Sequence, residues 1–396
     1  MDKMRKVLHE DSRPKLALES LPAELKVIIF FALPDLISLK HIASTSRSLY
    51  NAVKSAERHV VHPFLSSELE FDVLPEAAAV IASSRIKSRT KSQMLTFAEN
   101  HLRCPWHWDP KFYFTLADAL YISKLHKQIQ SFTNQFFVVA FMDDHEILDP
   151  APLSRNETAR IMRAFYRFEI YCNLFRYKQE QQNYTAKEQQ ELFFSWFSPW
   201  DNEQLACVEM FFSLTHGNFL ADIVASENMA PQSKVNSYLG PNGERFQHFL
   251  SLGLDYLHQF DTAGSLEEQK ALMYPHLNLE NGDFLHSGLE AVNKPHDGVL
   301  LKNYIFSPSG ELEGPGWPVH FRDDDYGPHV AWIGSHLNFS CDRLIWGCDL
   351  HQLYDQGYVM RDFIRLQSLN IDYDCGQEII DAREIHMARM SGSEQG

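Results

Sequence analysis

Along the middle of the chain, from about residue 114 to 275, apolar residues recur at steps of three and four. Leu125, Ile129, Phe132, Phe136 and Val139 form one set, and Ile161, Phe165, Phe168, Cys172 and Phe175 a second. Leu205, Val208, Phe212, Thr215, Phe219 and Ile223 form a third. Such steps place each set on one face of a helix. Ser154-x-x-Glu157, Thr185-x-x-Glu188, Asp201-x-x-Gln204 and Ser265-x-x-Glu268 fit the capping box, in which two side chains take up backbone N–H groups that a helix start leaves unpaired. Together these patterns predict an all-helical body.

A further helix is expected from Gly243 to about Asp261, with Phe246, Leu250, Leu257 and Phe260 inward. After Asn281 turn formers crowd together at Ser307-Pro-Ser-Gly310, Gly314-Pro-Gly-Trp-Pro318 and Tyr326-Gly-Pro328, which predicts long Pro/Gly-rich loops in the C-terminal third. Helix is expected again from Leu350 to Ser368 and from Gln377 to Met390. No motif recurs at a fixed period, which argues against a solenoid or propeller.

Near the N-terminus, residues 21–50 predict three short helices. Pro22 suits a first helical turn and Glu24 its positive end; Pro34 closes that helix and opens the next, and Thr45 or Ser46 caps the third. The first helix carries Leu25, Val27, Ile28, Ile29, Phe30, Phe31 and Leu33 and is apolar nearly all round, so it needs cover on more than one side. Three helices of this size cannot supply all of it. The cover is either the rest of the chain or another protein.

Charge divides the chain. The net charge is −16, from 36 Lys+Arg against 52 Asp+Glu, which argues against nucleic acid or an anionic membrane as the main partner. Residues 1–91 hold 14 Lys/Arg and 11 Asp/Glu, leaving 22 and 41 for the remainder, so a basic segment precedes a strongly acidic one. The expected organisation is a disordered start over 1–19, a three-helix segment over 20–57, and a linker with a short helix over 58–92. A helical body over 93–390 and a frayed tail over 391–396 complete it. Ser83-Ser-Arg-Ile-Lys-Ser-Arg-Thr-Lys-Ser92 reads as a solvated connector. Met1 to Ser20 lacks an apolar core, no apolar run reaches bilayer length, and six scattered cysteines form no C-x-x-C. A soluble protein of the cytoplasm or nucleus with reduced thiols is expected.

Catalytic and metal patterns are sparse. His107-Trp-Asp109 has the H-x-D spacing of a non-haem iron site, but that chemistry needs a β-barrel and the sequence after it is helical. Cys341, Cys348 and His351 match no common zinc spacing. The sequence contains no G-x-S-x-G, P-loop, dinucleotide fingerprint or H-E-x-x-H. The chain therefore reads as a binder, with no catalytic residue, metal or cofactor expected. Trp317, His320, Asp323, Asp324, Asp325 and Tyr326 form a candidate partner surface, the alternative being an acidic loop held to the core by its aromatics. Arg155, Arg160, Arg163, Arg167 and Arg176 on one helix read as ion-pair partners for neighbouring acidic helices.

The run Leu21-Pro22-x-Glu24-Leu25-x-x-Ile28-Ile29, followed by Leu33-Pro34-Asp35-Leu36-x-Ser38-Leu39 and Ala43-Ser44-x-Ser46-Arg47-x-Leu49-Tyr50, resembles an F-box. Residues 117–126, 160–175 and 198–207 are similar to segments of F-box-like proteins of filamentous fungi. The resemblance implies a mostly α protein with an N-terminal three-helix F-box ahead of an irregular helical domain. It also implies docking on a Skp-type adaptor and, through it, a cullin–RING ubiquitin ligase, with the remaining chain recruiting a protein substrate. The adaptor-binding residues it implies are Leu21, Pro22, Leu25, Ile28, Ile29, Leu33, Pro34, Leu36, Leu39 and Ile42. Leu49-Tyr50 stands where many F-boxes carry Trp, and no WD, kelch or leucine-rich repeat follows to mark a substrate type.

Overall fold

The structure, a computed structural model, describes residues 18–69, 73–102, 112, 114–142, 151–176, 183–226, 243–276, 284–292, 325–336 and 351–368. Among these residues the chain is helical, with no strand. The helices are α1 (Ala23–Phe31), α2 (Leu36–Thr45), α3 (Arg47–Glu68), α4 (Leu74–Ser84), α5 (Lys91–His101) and α6 (Leu116–Phe141). There follow α7 (Arg155–Phe175), α8 (Ala186–Leu192), α9 (Pro199–Ser226), α10 (Glu244–Ser251), α11 (Leu254–Asp261) and α12 (Leu266–Met273). Last come α13 (Leu285–Glu290), α14 (Gly327–His336), α15 (His351–Asp355) and α16 (Phe363–Ser368). The predicted helix at 377–390 lies outside the described residues.

The chain forms two compact units, one of Met1–Glu70 with Pro110–Ser123 and one of Phe71–Asp109 with Lys124–Gly396. In the first, α1 and α2 both pack on α3. The Asp35 carboxylate caps α2 by accepting from Ser38 N at 2.6 Å, and Ser46 caps α3 by accepting from Leu49 N at 3.3 Å. Asp35, one residue after Pro34, therefore opens the second helix, because Pro has no side-chain acceptor to offer. The third helix continues to Glu68, past the boundary at 57. Glu57 accepts from Leu116 N at 2.8 Å and Ser123 donates to Glu68 at 2.5 Å, which ties the returning 110–123 segment into this unit.

The second unit is built on α7 and α9. Phe132, Phe136, Phe165, Phe168, Phe211 and Phe212 interlock with ring centroids 5.1–6.5 Å apart, which gives the aromatic-rich composition its structural use. Ser154 and Thr185 form complete capping boxes, as their spacing predicts. Asp201 does not cap a helix. Ser198 accepts from Asp201 N at 3.3 Å and Pro199 opens α9, while the Asp201 carboxylate turns to Arg167 at 2.8 Å. Ser265 accepts from Glu268 N, but the Glu268 carboxylate goes to Gly264 N at 2.7 Å.

Two predicted helices are broken at glycine. Gly253, at φ +88°, splits residues 243–261 into α10 and α11; a Cβ there would lie 2.7 Å from Arg176 Nη2. Its turn delivers Leu254 N to Glu169 Oε2 at 2.8 Å. Gly357, at φ +58°, separates α15 from a 3₁₀ turn at Tyr358–Met360 and sits against the Phe136 ring. Thr215, predicted inward on α9, is exposed, because the buried face drifts to His216 and Leu220.

The 58–92 stretch, expected as a linker with a short helix, is largely helical, and its exposed connection is confined to residues 85–90, with Ile86 half-buried and Arg89 buried. Its first part completes α3, and α4 buries Ala77, Ala78, Ala79, Val80 and Ile81 against α7. Periodicity missed this because α4 is apolar over several consecutive positions. No described helix is long and apolar enough to cross a membrane.

Candidate docking face and buried charge clusters

Helix α1 uses very little of its apolar surface inside its own unit. Phe30 is buried completely, and Lys26 is buried with its ammonium donating to Ser48 Oγ at 2.9 Å. The opposite face carries Leu25, Ile28 and Phe31 at 46, 63 and 48 % exposure. Spacing of three residues sets these side chains beside one another along the helix. Val27, Ile29 and Leu33 are half-buried at its margins. Ile37 on α2 and Tyr50 on α3 are exposed as well.

The residues that the resemblance implies divide into two groups. Leu25, Ile28, Pro22 and Pro34 are exposed, and Leu21, Ile29, Leu33 and Ile42 are half-buried. Leu36 and Leu39 are core residues of the first unit at 2 and 0 % exposure, which removes them from any contact surface. Both lie on the face of α2 that packs on α3, three residues apart. Phe31, Ile37 and Tyr50 join the exposed apolar set, although the resemblance does not imply them as adaptor-binding residues. For Phe31 the signal in the sequence is an apolar run too dense for one buried stripe.

Of the second candidate surface, Trp317, His320, Asp323 and Asp324 lie outside the described residues, as do His107, Asp109, Cys341 and Cys348. Asp325 is turned inward. Its Oδ1 accepts from Arg160 Nη2 at 3.1 Å, Gly327 N at 2.7 Å and Phe363 N at 3.1 Å, fixing the starts of α14 and α16. Tyr326 packs on Phe363 with centroids 4.7 Å apart. Both residues are half-buried.

Of the five arginines expected to pair, Arg160 and Arg167 meet carboxylates inside the protein, whereas Arg176 donates to the carbonyls of Ser251 and Leu252. Arg160, fully buried, also donates to Asp362 at 2.8 Å, and Arg167 pairs with Asp201 and lies over the Phe197 ring. Arg365 donates to both oxygens of buried Glu157 at 2.7 and 2.8 Å. Burial pushes the Glu157 carboxyl up, yet Arg365 and the N–H groups of Asp362 and Ser154 outweigh it and hold it below its ordinary range. Asp362 goes the other way, raised chiefly by burial despite Ser154 and Arg160.

Glu203 and Glu209 on α9 are fully buried, the first 3.4 Å from His336 Nε2 and the second bonded to Gln247 Nε2 at 2.5 Å. Burial drives the Cys172 and Cys207 thiols well up, so neither supplies a thiolate nucleophile. Cys172 instead donates to Leu250 O at 3.5 Å and packs as a small apolar side chain. No protein-family model, no curated protein and no solved structure matches this chain.

Proposed function

We propose that this chain is an F-box-type substrate-recruiting subunit, in which α1 docks on a Skp-type adaptor of a cullin–RING ubiquitin ligase and the second unit presents a site for a protein substrate. One observation carries the reading: Leu25, Ile28 and Phe31 form a stripe of large apolar side chains left open to solvent on a helix that the same chain anchors by its other face. Contiguous exposed apolar residues of this size are a mark of protein-docking surfaces. The Leu-Pro start and the Leu-Pro-Asp-Leu turn of the F-box resemblance name the partner. Chemistry would belong to the assembled ligase, with no group from this chain in the reacting centre. The alternative is a helical scaffold whose N-terminal helices dock on their own chain.

Co-purification with a Skp-type adaptor tests the proposal. Ile28→Glu combined with Phe31→Glu should weaken capture by roughly 30-fold or more, the loss of about 2 kcal/mol that a central hot spot supplies. Unchanged capture by the double variant, or no capture by the native chain, would sink the assignment.

A further inference from the structure

Between Glu76 and Glu99 the chain holds no acidic residue, yet it holds Arg85, Lys87, Arg89 and Lys91 together with six hydroxyls at Ser83, Ser84, Ser88, Thr90, Ser92 and Thr96, the last within α5. In a protein of net charge −16 this is an island of positive charge. The structure distinguishes the hydroxyls. Ser83 is buried and donates to Val80 O at 2.9 Å, and Ser84 donates to Ile81 O at 2.8 Å inside α4. Thr90 is the N-cap of α5 in a capping box with Gln93, and Ser92 lies in the first turn of that helix. Presenting either would unwind the start of α5.

Ser88 alone among the six belongs to neither helix nor to a helix cap, and it is exposed. Its Oγ makes one surface hydrogen bond, donating to Gln93 Oε1 at 2.8 Å. The connection that carries it is pinned on either side. Ile86 N donates to Ser83 O at 3.2 Å, and Arg89 is buried, donating to Arg176 O at 2.6 Å while its own carbonyl accepts from the Tyr184 hydroxyl. Arg89 adopts φ +44°, a left-handed turn that bulky side chains rarely take. With Ile86 and Arg89 held inward, Arg85, Lys87 and Ser88 are displayed outward together.

We infer that Ser88 is a phosphorylation site for a protein kinase of the basic-directed class, one whose acidic peptide groove reads Arg85 three residues before the serine and Lys87 immediately before it. The Ser88 Oγ attacks the γ-phosphorus of a nucleoside triphosphate, and the bond from that phosphorus to the bridging oxygen breaks to release the diphosphate. The hydroxyl proton passes to the kinase's base. The product places roughly −1.5 to −2 charges in a stretch that carries Arg85, Lys87 and Lys91, the last paired with Glu191 at 3.3 Å. The inference is independent of adaptor docking, since every residue it uses lies in the second unit.

The test uses the full chain, a basic-directed serine/threonine kinase, Mg²⁺ and ATP labelled at the γ-phosphate, with peptide mapping after chymotryptic digestion. About one phosphate per chain is expected on Ser88, with none on the Ser88→Ala variant. Arg85→Ala with Lys87→Ala should lower kcat/KM at least tenfold while far-UV circular dichroism stays unchanged, and an acidic-directed kinase should not label the protein. Label on Thr90 or Ser92 with Ser88 unmodified would overturn the inference. So would a folded chain that takes up less than a tenth of a phosphate while a synthetic 83–92 peptide is fully modified.

Discussion

The Arg160 guanidinium has no contact with water and holds Asp325 and Asp362 at 3.1 and 2.8 Å. Removing it strands two half-buried carboxylates, so Arg160→Ala should lose about 3–5 kcal/mol in urea unfolding, the usual cost of breaking a buried pair. His248 makes a pH prediction. Burial, with His276 and Arg176 adding to it, pulls its imidazole down to about 4. An unfolded chain takes up that proton near pH 6.5, so the contribution is complete above about 6.5 and is lost as pH falls toward 4. His248→Gln should therefore narrow the stability difference between pH 7 and pH 5, checked by urea midpoints at both. Glu157 acts in the same direction lower down: its carboxyl is depressed, so its contribution is present above the ordinary carboxylate range and lost below it. At this scale the sequence was legible where chemistry is local. The boxes at Ser154 and Thr185 need only residues three apart, whereas Asp201 lies in the first turn of α9, which starts at Pro199, and its carboxylate accepts from Ser198 Oγ and pairs with Arg167.

Phe30 and Phe31 are consecutive on α1 and opposite in environment, one fully buried and the other about half exposed. Phe30→Ala should cost about 3–5 kcal/mol of stability, as a large core truncation does. Phe31→Ala should stay within about 0.5 kcal/mol and act on docking instead. Thermal unfolding of the pair separates anchoring from display. The existence of three N-terminal helices was readable from the apolar run and its prolines, but which side of α1 faces inward was not, because a helix apolar nearly all round carries no amphipathic signal. The break at Gly253 was hidden for a related reason. Apolar spacing runs on through α10 and α11, and only the nearness of Glu169 and Arg176, which leaves no room for a Cβ, compels the left-handed turn. Gly253→Ala should accordingly destabilise by more than about 1 kcal/mol, where a strain-free Gly→Ala substitution stabilises, read from the same unfolding curves.

The whole molecule divides differently from its charge. Composition changes sign near residue 91, whereas the chain leaves the first unit at Glu70 and re-enters it over Pro110–Ser123. That return depends on Glu57 meeting Leu116 N and Ser123 meeting Glu68, contacts between residues more than fifty apart that no local pattern announces. A fragment ending at residue 70 should therefore unfold at lower urea than one running through residue 123, with a broader transition. The discontinuity also sets an order of events during synthesis. At about 5–20 residues per second, some 50 further residues must be added after Glu70 before the segment that completes the first unit has been made, a delay of roughly 3–10 s. Through that interval the nascent chain displays Leu25, Ile28 and Phe31 on helices not yet braced, so a chaperone would meet the docking stripe before its partner does.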